Sequence, residues 1–119
     1  ASPRLPADSE NGRINEIKQY ISQNYSDPQL SVSSIAEAFG LSANNLSQLF
    51  SRKSDQGVLD YIHKIRMEKA AELLRKNQNL TIQEIAAQTG YASILTFNRK
   101  FKAFYGQTPT EYRKGLSRS

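Results

Sequence analysis

The sequence predicts an all-α chain of about seven helices, built from two copies of a short helical pair with a long helix between them. Three observations carry this prediction. Apolar residues recur at spacings of three and four, and no stretch reads as a convincing strand. The chain also matches itself. Leu30, Ile35, Ala36 and Gly40 align with Leu80, Ile85, Ala86 and Gly90 at an offset of 50, and Leu46, Phe50 and Tyr61 with Phe97, Phe101 and Tyr112 at an offset of 51. One extra residue therefore follows the second glycine, and the same unit is built twice. Between the copies, alanine, leucine, glutamate and lysine favour a continuous helix.

The elements follow in order. Residues 1–12 hold two prolines, a glycine and small polar side chains, and read as a disordered linker or remnant. From Arg13 on, Ile14, Ile17, Ile21 and Tyr25 line one helical face. Asp27-Pro28 stops that helix, because proline disfavours helical geometry in the residue before it. Ser31 caps a helix with Ile35, Ala36 and Phe39 inward, and Gly40 supplies the left-handed residue that ends it. Ser42 caps the next, with Leu46, Leu49 and Phe50 inward. Residues 13–56 thus form a first subdomain. Residues 57–76 form the joining helix, with Ile62, Ile65, Met67, Ala70, Leu73 and Leu74 in a broad apolar stripe. Residues 77–116 repeat the pair. Thr81-x-x-Glu84 predicts a capping box, Gly90 a stop, and Ser93 the cap of a helix with Phe97, Phe101 and Phe104 inward. Gly106 closes that helix. Thr108-Pro109-x-Glu111 opens a last short one, and residues 117–119 are a tail.

Composition removes several functions. No apolar run exceeds three residues, so neither a membrane span nor a secretory leader is expected, and a cytoplasmic protein is the default. There is no cysteine and one histidine, which excludes disulfide scaffolds, thiolate zinc sites and a cysteine nucleophile. No cofactor or metal is expected. An enzyme is not expected either, since no acid–base pair, activated nucleophile or phosphate-cradling glycine loop is visible. His63 reads as a surface or half-buried residue without a catalytic role, and Tyr61 and Tyr112 as packing behind their own helical pairs. The chain carries +5, unevenly: residues 1–50 hold three basic and five acidic side chains, residues 51–119 thirteen and six. A basic second half suits a polyanionic partner.

Two short helices joined by a tight turn with glycine describe a helix-turn-helix, which presents its second helix to the major groove of DNA. In the first copy the face opposite the apolar set carries Asn44, Ser47, Gln48 and Ser51, all able to donate and accept hydrogen bonds, and Arg52 and Lys53 follow. Asn and Gln bond an adenine edge in two places. In the second copy the outward face holds Leu95, Asn98, Arg99 and Lys102, with Ile94 and Thr96 at its margins. Arg99 fits the two acceptors of guanine. Ile94 and Leu95 either pack against the joining helix or meet thymine methyls. Lys100 and Lys102 serve either solubility or phosphate contact.

These residues resemble the AraC/XylS family of bacterial transcription regulators, over Ile14 to Arg113. The most specific part runs from Ile85-Ala86 through Gly90-Tyr91 and Phe97-x-Arg99-x-Phe101-Lys102 to Gly106-x-Thr108-Pro109-x-Glu111-Tyr112-Arg113. The resemblance implies an AraC-type, homeodomain-like architecture of two helix-turn-helix subdomains on a long linker helix. Their recognition helices would enter successive major grooves. The family's base-contacting positions fall at Asn44, Ser47 and Gln48, and at Ile94, Leu95, Thr96, Asn98 and Arg99; Ser51 joins them from its place on the outward face. Phosphate contacts are expected from Ser31, Arg52, Lys53, Thr81, Lys100 and Lys102. Asp55 stands where the family often has glycine, and aspartate tolerates the left-handed conformation expected there.

The expected partner is double-stranded DNA, bound to regulate transcription. The resemblance also implies further domains in a longer chain, either sensing and dimerising or of two-component type. With no heptad repeat, the isolated domain is expected to be monomeric. The alternative is an interaction module that contacts RNA polymerase or a partner regulator and binds DNA weakly.

Overall fold

The structure, a computed structural model, describes residues 10–117. Seven helices and no strand occur among them: α1 (Glu10–Asn24), α2 (Val32–Ala38), α3 (Ala43–Lys53), α4 (Val58–Lys76), α5 (Ile82–Gln88), α6 (Ile94–Tyr105) and α7 (Pro109–Ser117). The rest of the expected linker and tail lies outside the described residues. Residues 10–12, read from sequence as linker, are already helical. Pro6 is the last proline of that stretch, and Gly12 costs only about 1 kcal/mol relative to alanine, too little to stop a helix.

The described chain divides within α4 into two compact units, residues 10–24 with 29–62 and residues 25–28 with 63–117. In the first, α1, α2 and α3 pack on one another. Ile14, Ile17, Ile21, Leu30, Ile35, Ala36, Leu46, Leu49, Phe50, Val58 and Ile62 are buried there, most of them residues that helical spacing points inward. Tyr25 and Phe39, also expected inward, fall just past the ends of α1 and α2 and are only half-buried. In the second, Met67, Ala70, Leu74, Ile85, Ala86, Tyr91, Phe97 and Phe101 form the core, with Tyr105 and Tyr112 packed against it.

The duplication extends to individual hydrogen bonds. Gly40 and Gly90 adopt φ of 68° and 92°. After each, the chain folds back in the same way: Leu41 N–H donates to the Ala36 carbonyl at 2.8 Å and Tyr91 N–H to that of Ala86 at 2.9 Å. With the Gly40–Glu37 and Gly90–Ala87 bonds this is a Schellman closure in both units. Tyr61 meets Phe50 at a ring separation of 5.6 Å, and Tyr112 meets Phe101 at 5.5 Å, both edge-on. The extra residue of the second copy lies in the turn, which spans 39–42 between α2 and α3 but 89–93 between α5 and α6.

Three local expectations change, and one buried charge adds to them. At Thr81-x-x-Glu84 only half of the capping box forms. The Thr81 hydroxyl oxygen accepts from Glu84 N–H at 3.0 Å, but the Glu84 carboxylate accepts from that hydroxyl at 3.1 Å instead of from the Thr81 amide. The full reciprocal box stands at Ser31 and Ser34, and again at Thr108 and Glu111. In the latter, hydrogen bonds from the Thr108 amide and from its hydroxyl to the Glu111 carboxylate hold that carboxyl below its ordinary pKa. Asp55 is not left-handed, since no residue but glycine has positive φ among those described; α3 instead runs into an extended Ser54 at φ −144°. Phe104, expected inward, is 47% exposed. The inward row on α6 continues from Phe97 and Phe101 to Tyr105, whose ring lies 4.7 Å from that of Phe101 and whose hydroxyl donates to the Met67 carbonyl. The buried charge is Arg66, a cation in the i, i+4 row Ile62, Arg66, Ala70, Leu74 of α4. Its guanidinium donates to the carbonyls of Tyr25 and Asp27, both at 2.9 Å, and lies over the Tyr91 ring. Burial lowers its pKa, and burial pushes the Tyr91 phenol up to about 12. The Tyr91 hydroxyl meets His63 Nδ1 at 2.7 Å, which gives the half-buried His63 a packing role.

Candidate nucleic-acid interface

In the first unit, Leu46, Leu49 and Phe50 fix α3 by one side. Ser42 caps it by accepting from Asn45 N–H at 3.0 Å. The opposite side is then forced outward, and Asn44, Ser47, Gln48 and Ser51 are all exposed, as are Arg52 and Lys53 in the last turn. Ser31, half-buried at the start of α2, spends its hydroxyl oxygen on Ser34 N–H.

In the second unit, Phe97 and Phe101 anchor α6, and Ser93 caps it. Arg99, Lys100 and Lys102 are exposed, and Thr96 and Asn98 are half-buried. Ile94 is 38% and Leu95 72% exposed, so the choice left open between inward packing and an outward role falls to the outward one for Leu95. Thr81 is exposed, but its hydroxyl already donates to Glu84.

Charge separates these two helices from most of their neighbours, although α2 also starts without an acid and carries its only one, Glu37, near its end. Neither α3 nor α6 contains an acidic residue, whereas α4, α5 and α7 carry Asp60, Glu84 and Glu111 in their first turns. A first-turn carboxylate favours an isolated helix by complementing its dipole. Its absence leaves the amino-terminal amides open to a foreign anion, and the basic side chains add to that field. Each exposed face is therefore a polar or apolar strip beside exposed cations. Two exposed neighbours of these strips, Asn45 and Ala92, escaped the sequence reading. Asn45 sits off the helical row that spacing selects, and Ala92 precedes the helix, where periodicity carries no information.

A family model described as a helix-turn-helix domain matches residues 35–115. The Msm operon regulatory protein of Streptococcus mutans is 31% identical over 103 residues, covering 87% of this chain and 36% of that protein. Two solved structures share the fold. The C-terminal domain of the two-component response regulator yesN from Fusobacterium nucleatum has a TM-score of 0.82 at 36% identity, over 87% of this chain and 98% of that one. The C-terminal domain of AraT, a response regulator from Geobacillus stearothermophilus, has 0.83 at 35%, over 86% and 84%. The chain belongs to the AraC-type helix-turn-helix family. It spans only part of the length of the curated relatives it matches, 36% and 33% of two of them and 13% of another. Among the described residues no helix is long and apolar enough to cross a membrane.

Proposed function

We propose that this chain binds double-stranded DNA sequence-specifically and regulates transcription as the output domain of a longer regulator. One observation carries the reading: the duplicated motif exposes, in each copy, an acid-free second helix whose outward face carries exposed cations. In this reading α3 and α6 enter successive major grooves. Asn44, Ser47, Gln48 and Ser51 read bases from α3, and Ile94, Leu95, Thr96, Asn98 and Arg99 from α6. Arg52, Lys53, Lys100 and Lys102 hold phosphates, with Ser31 and Thr81 beside the amides of their helices. The response-regulator neighbours support a signalling domain elsewhere in the full protein. The chain acts in the cytoplasm as a monomeric unit. Phe104, exposed on the flank of α6 away from Arg99, favours a protein contact such as RNA polymerase beside DNA binding.

Arg99 tests the role assigned to α6. A bidentate arginine–guanine contact discriminates against the wrong base by about 1–3 kcal/mol. Arg99→Ala is expected to relax preference at one base pair by about tenfold while leaving the rest of the recovered motif intact. Loss of affinity that is uniform across sequences, with preference unchanged, would make Arg99 a phosphate contact instead.

A further inference from the structure

The first turn of α6 presents the least expected surface of the molecule. Ile94 and Leu95 follow the cap Ser93 directly, and Leu95 is the most exposed large apolar side chain described, at 72%. Neither residue helps the helix to start. The first turn favours acids and small polar groups, and Leu95 stays mostly exposed where it stands. The patch is extended by exposed Ala92 and bounded along the helix by exposed Arg99 and Lys102. An apolar tip with a cationic rim and no carboxylate on its own helix fits a surface that is anionic at its edges and offers small apolar groups between them.

From this we infer that Leu95, with Ile94 beside it, selects thymine by packing on the 5-methyl group in the major groove. The inference rests on the DNA-binding reading and deepens it. The methyl is the one apolar group that base pairs expose in that groove, and aliphatic side chains distinguish thymine by it. The first unit has no counterpart. The equivalent first turn of α3 is Ala43, Asn44 and Asn45, suited to hydrogen-bonding readout. The two copies of one motif have thus diverged into different reading chemistries, hydrogen bonding in α3 and methyl packing followed by Arg99 in α6. The rim charge disfavours a general apolar protein partner for this tip, since such a partner would have to bury Arg99 and Lys102 as well.

Deoxyuridine differs from thymidine only by that methyl, which makes it the direct probe. Wild-type chain would enrich a duplex from a random pool, and each thymine of that duplex would then be replaced in turn by deoxyuridine. Burying one methyl contributes about 0.8 kcal/mol, which is about fourfold in affinity. We expect one or two positions, within one half of the motif, where the replacement weakens binding by about three- to fivefold. Leu95→Ala should bind the thymine duplex more weakly and should no longer distinguish it from the deoxyuridine duplex; Leu95→Met, which keeps an apolar reach, should retain part of the difference. An unchanged thermal midpoint in both variants would confirm that exposed Leu95 is not needed for folding. Enrichment of a motif in which every deoxyuridine is tolerated overturns the methyl contact and leaves DNA reading standing. Sensitivity that survives in Leu95→Ala and Ile94→Ala assigns the methyl to another residue and also overturns it. A pool that yields no motif overturns DNA reading itself, and a tip that serves a protein partner would show as that result.

Discussion

Gly90→Ala is expected to destabilise the second unit by about 2–4 kcal/mol, against about 1–2 kcal/mol for Gly40→Ala in the first. Both glycines hold positive φ, 68° at Gly40 and 92° at Gly90, and so both carry the conformational cost of a side chain in left-handed backbone. They differ in what surrounds them. A Cβ on Gly40 would meet nothing within 4 Å. A Cβ on Gly90 would overlap the Tyr25 carbonyl oxygen and come within 2.8 Å of Arg66 Nε. Those two atoms are themselves joined by a hydrogen bond at 2.9 Å, and Arg66 is buried, so neither yields cheaply. Urea unfolding of the two variants beside wild type measures the difference. Equal midpoints would show that the Tyr25–Arg66 contact gives way and that only backbone conformation is paid in either unit.

Affinity for DNA is expected to fall about a hundredfold between 50 and 200 mM salt, because each neutralised phosphate contributes about −0.9 to the slope of log K against log salt. Four exposed cations are assigned to phosphates: Arg52 and Lys53 at the end of α3, and Lys100 and Lys102 on α6. A slope of about −3.6 follows. Lys102→Ala should bring it to about −2.7 with the sequence preference unchanged. Ser31 and Thr81 are neutral, so removing either hydroxyl should lower affinity without moving the slope. A shallow slope, under about 1 in magnitude, would be inconsistent with phosphate contacts as the main source of affinity.

The fold was legible because the chain states it twice. Leu30 to Gly40 and Leu80 to Gly90 repeat the pattern that buries Ile35 and Ile85, and they close on glycines with the same backbone bonds. Tyr61 and Tyr112 could be paired from the offset alone, and they do occupy matching places on Phe50 and Phe101. Three residues were not legible, each for a physical reason. Phe104 satisfies helical spacing as well as Tyr105 does, and spacing cannot say which of two adjacent aromatics continues the inward row. Arg66 lies in the apolar row of α4, but a charge there reads as solvent-facing until the carbonyls of Tyr25 and Asp27, about 40 positions away in sequence, are seen to satisfy it. Asp55 tolerates left-handed backbone, yet tolerance is not requirement, and the chain turns after α3 without it. The candidate interface follows the same logic. Which side chains of α3 face outward was fixed by what Leu46, Leu49 and Phe50 bury. For Leu95 the sequence offered two environments of similar merit, and only its exposure separates them.

The central claim is that two different helices of this chain read DNA together, and selection from a random duplex pool tests it most directly. Wild-type chain should recover two half-motifs about 10 base pairs apart, the spacing of successive major grooves on one side of the duplex. Selection with Asn44→Ala/Gln48→Ala should lose one half-motif and keep the other, and selection with Arg99→Ala should blur the half that the first variant kept. A pool with no preference at any salt, or a single motif that neither variant changes, would contradict two-helix reading.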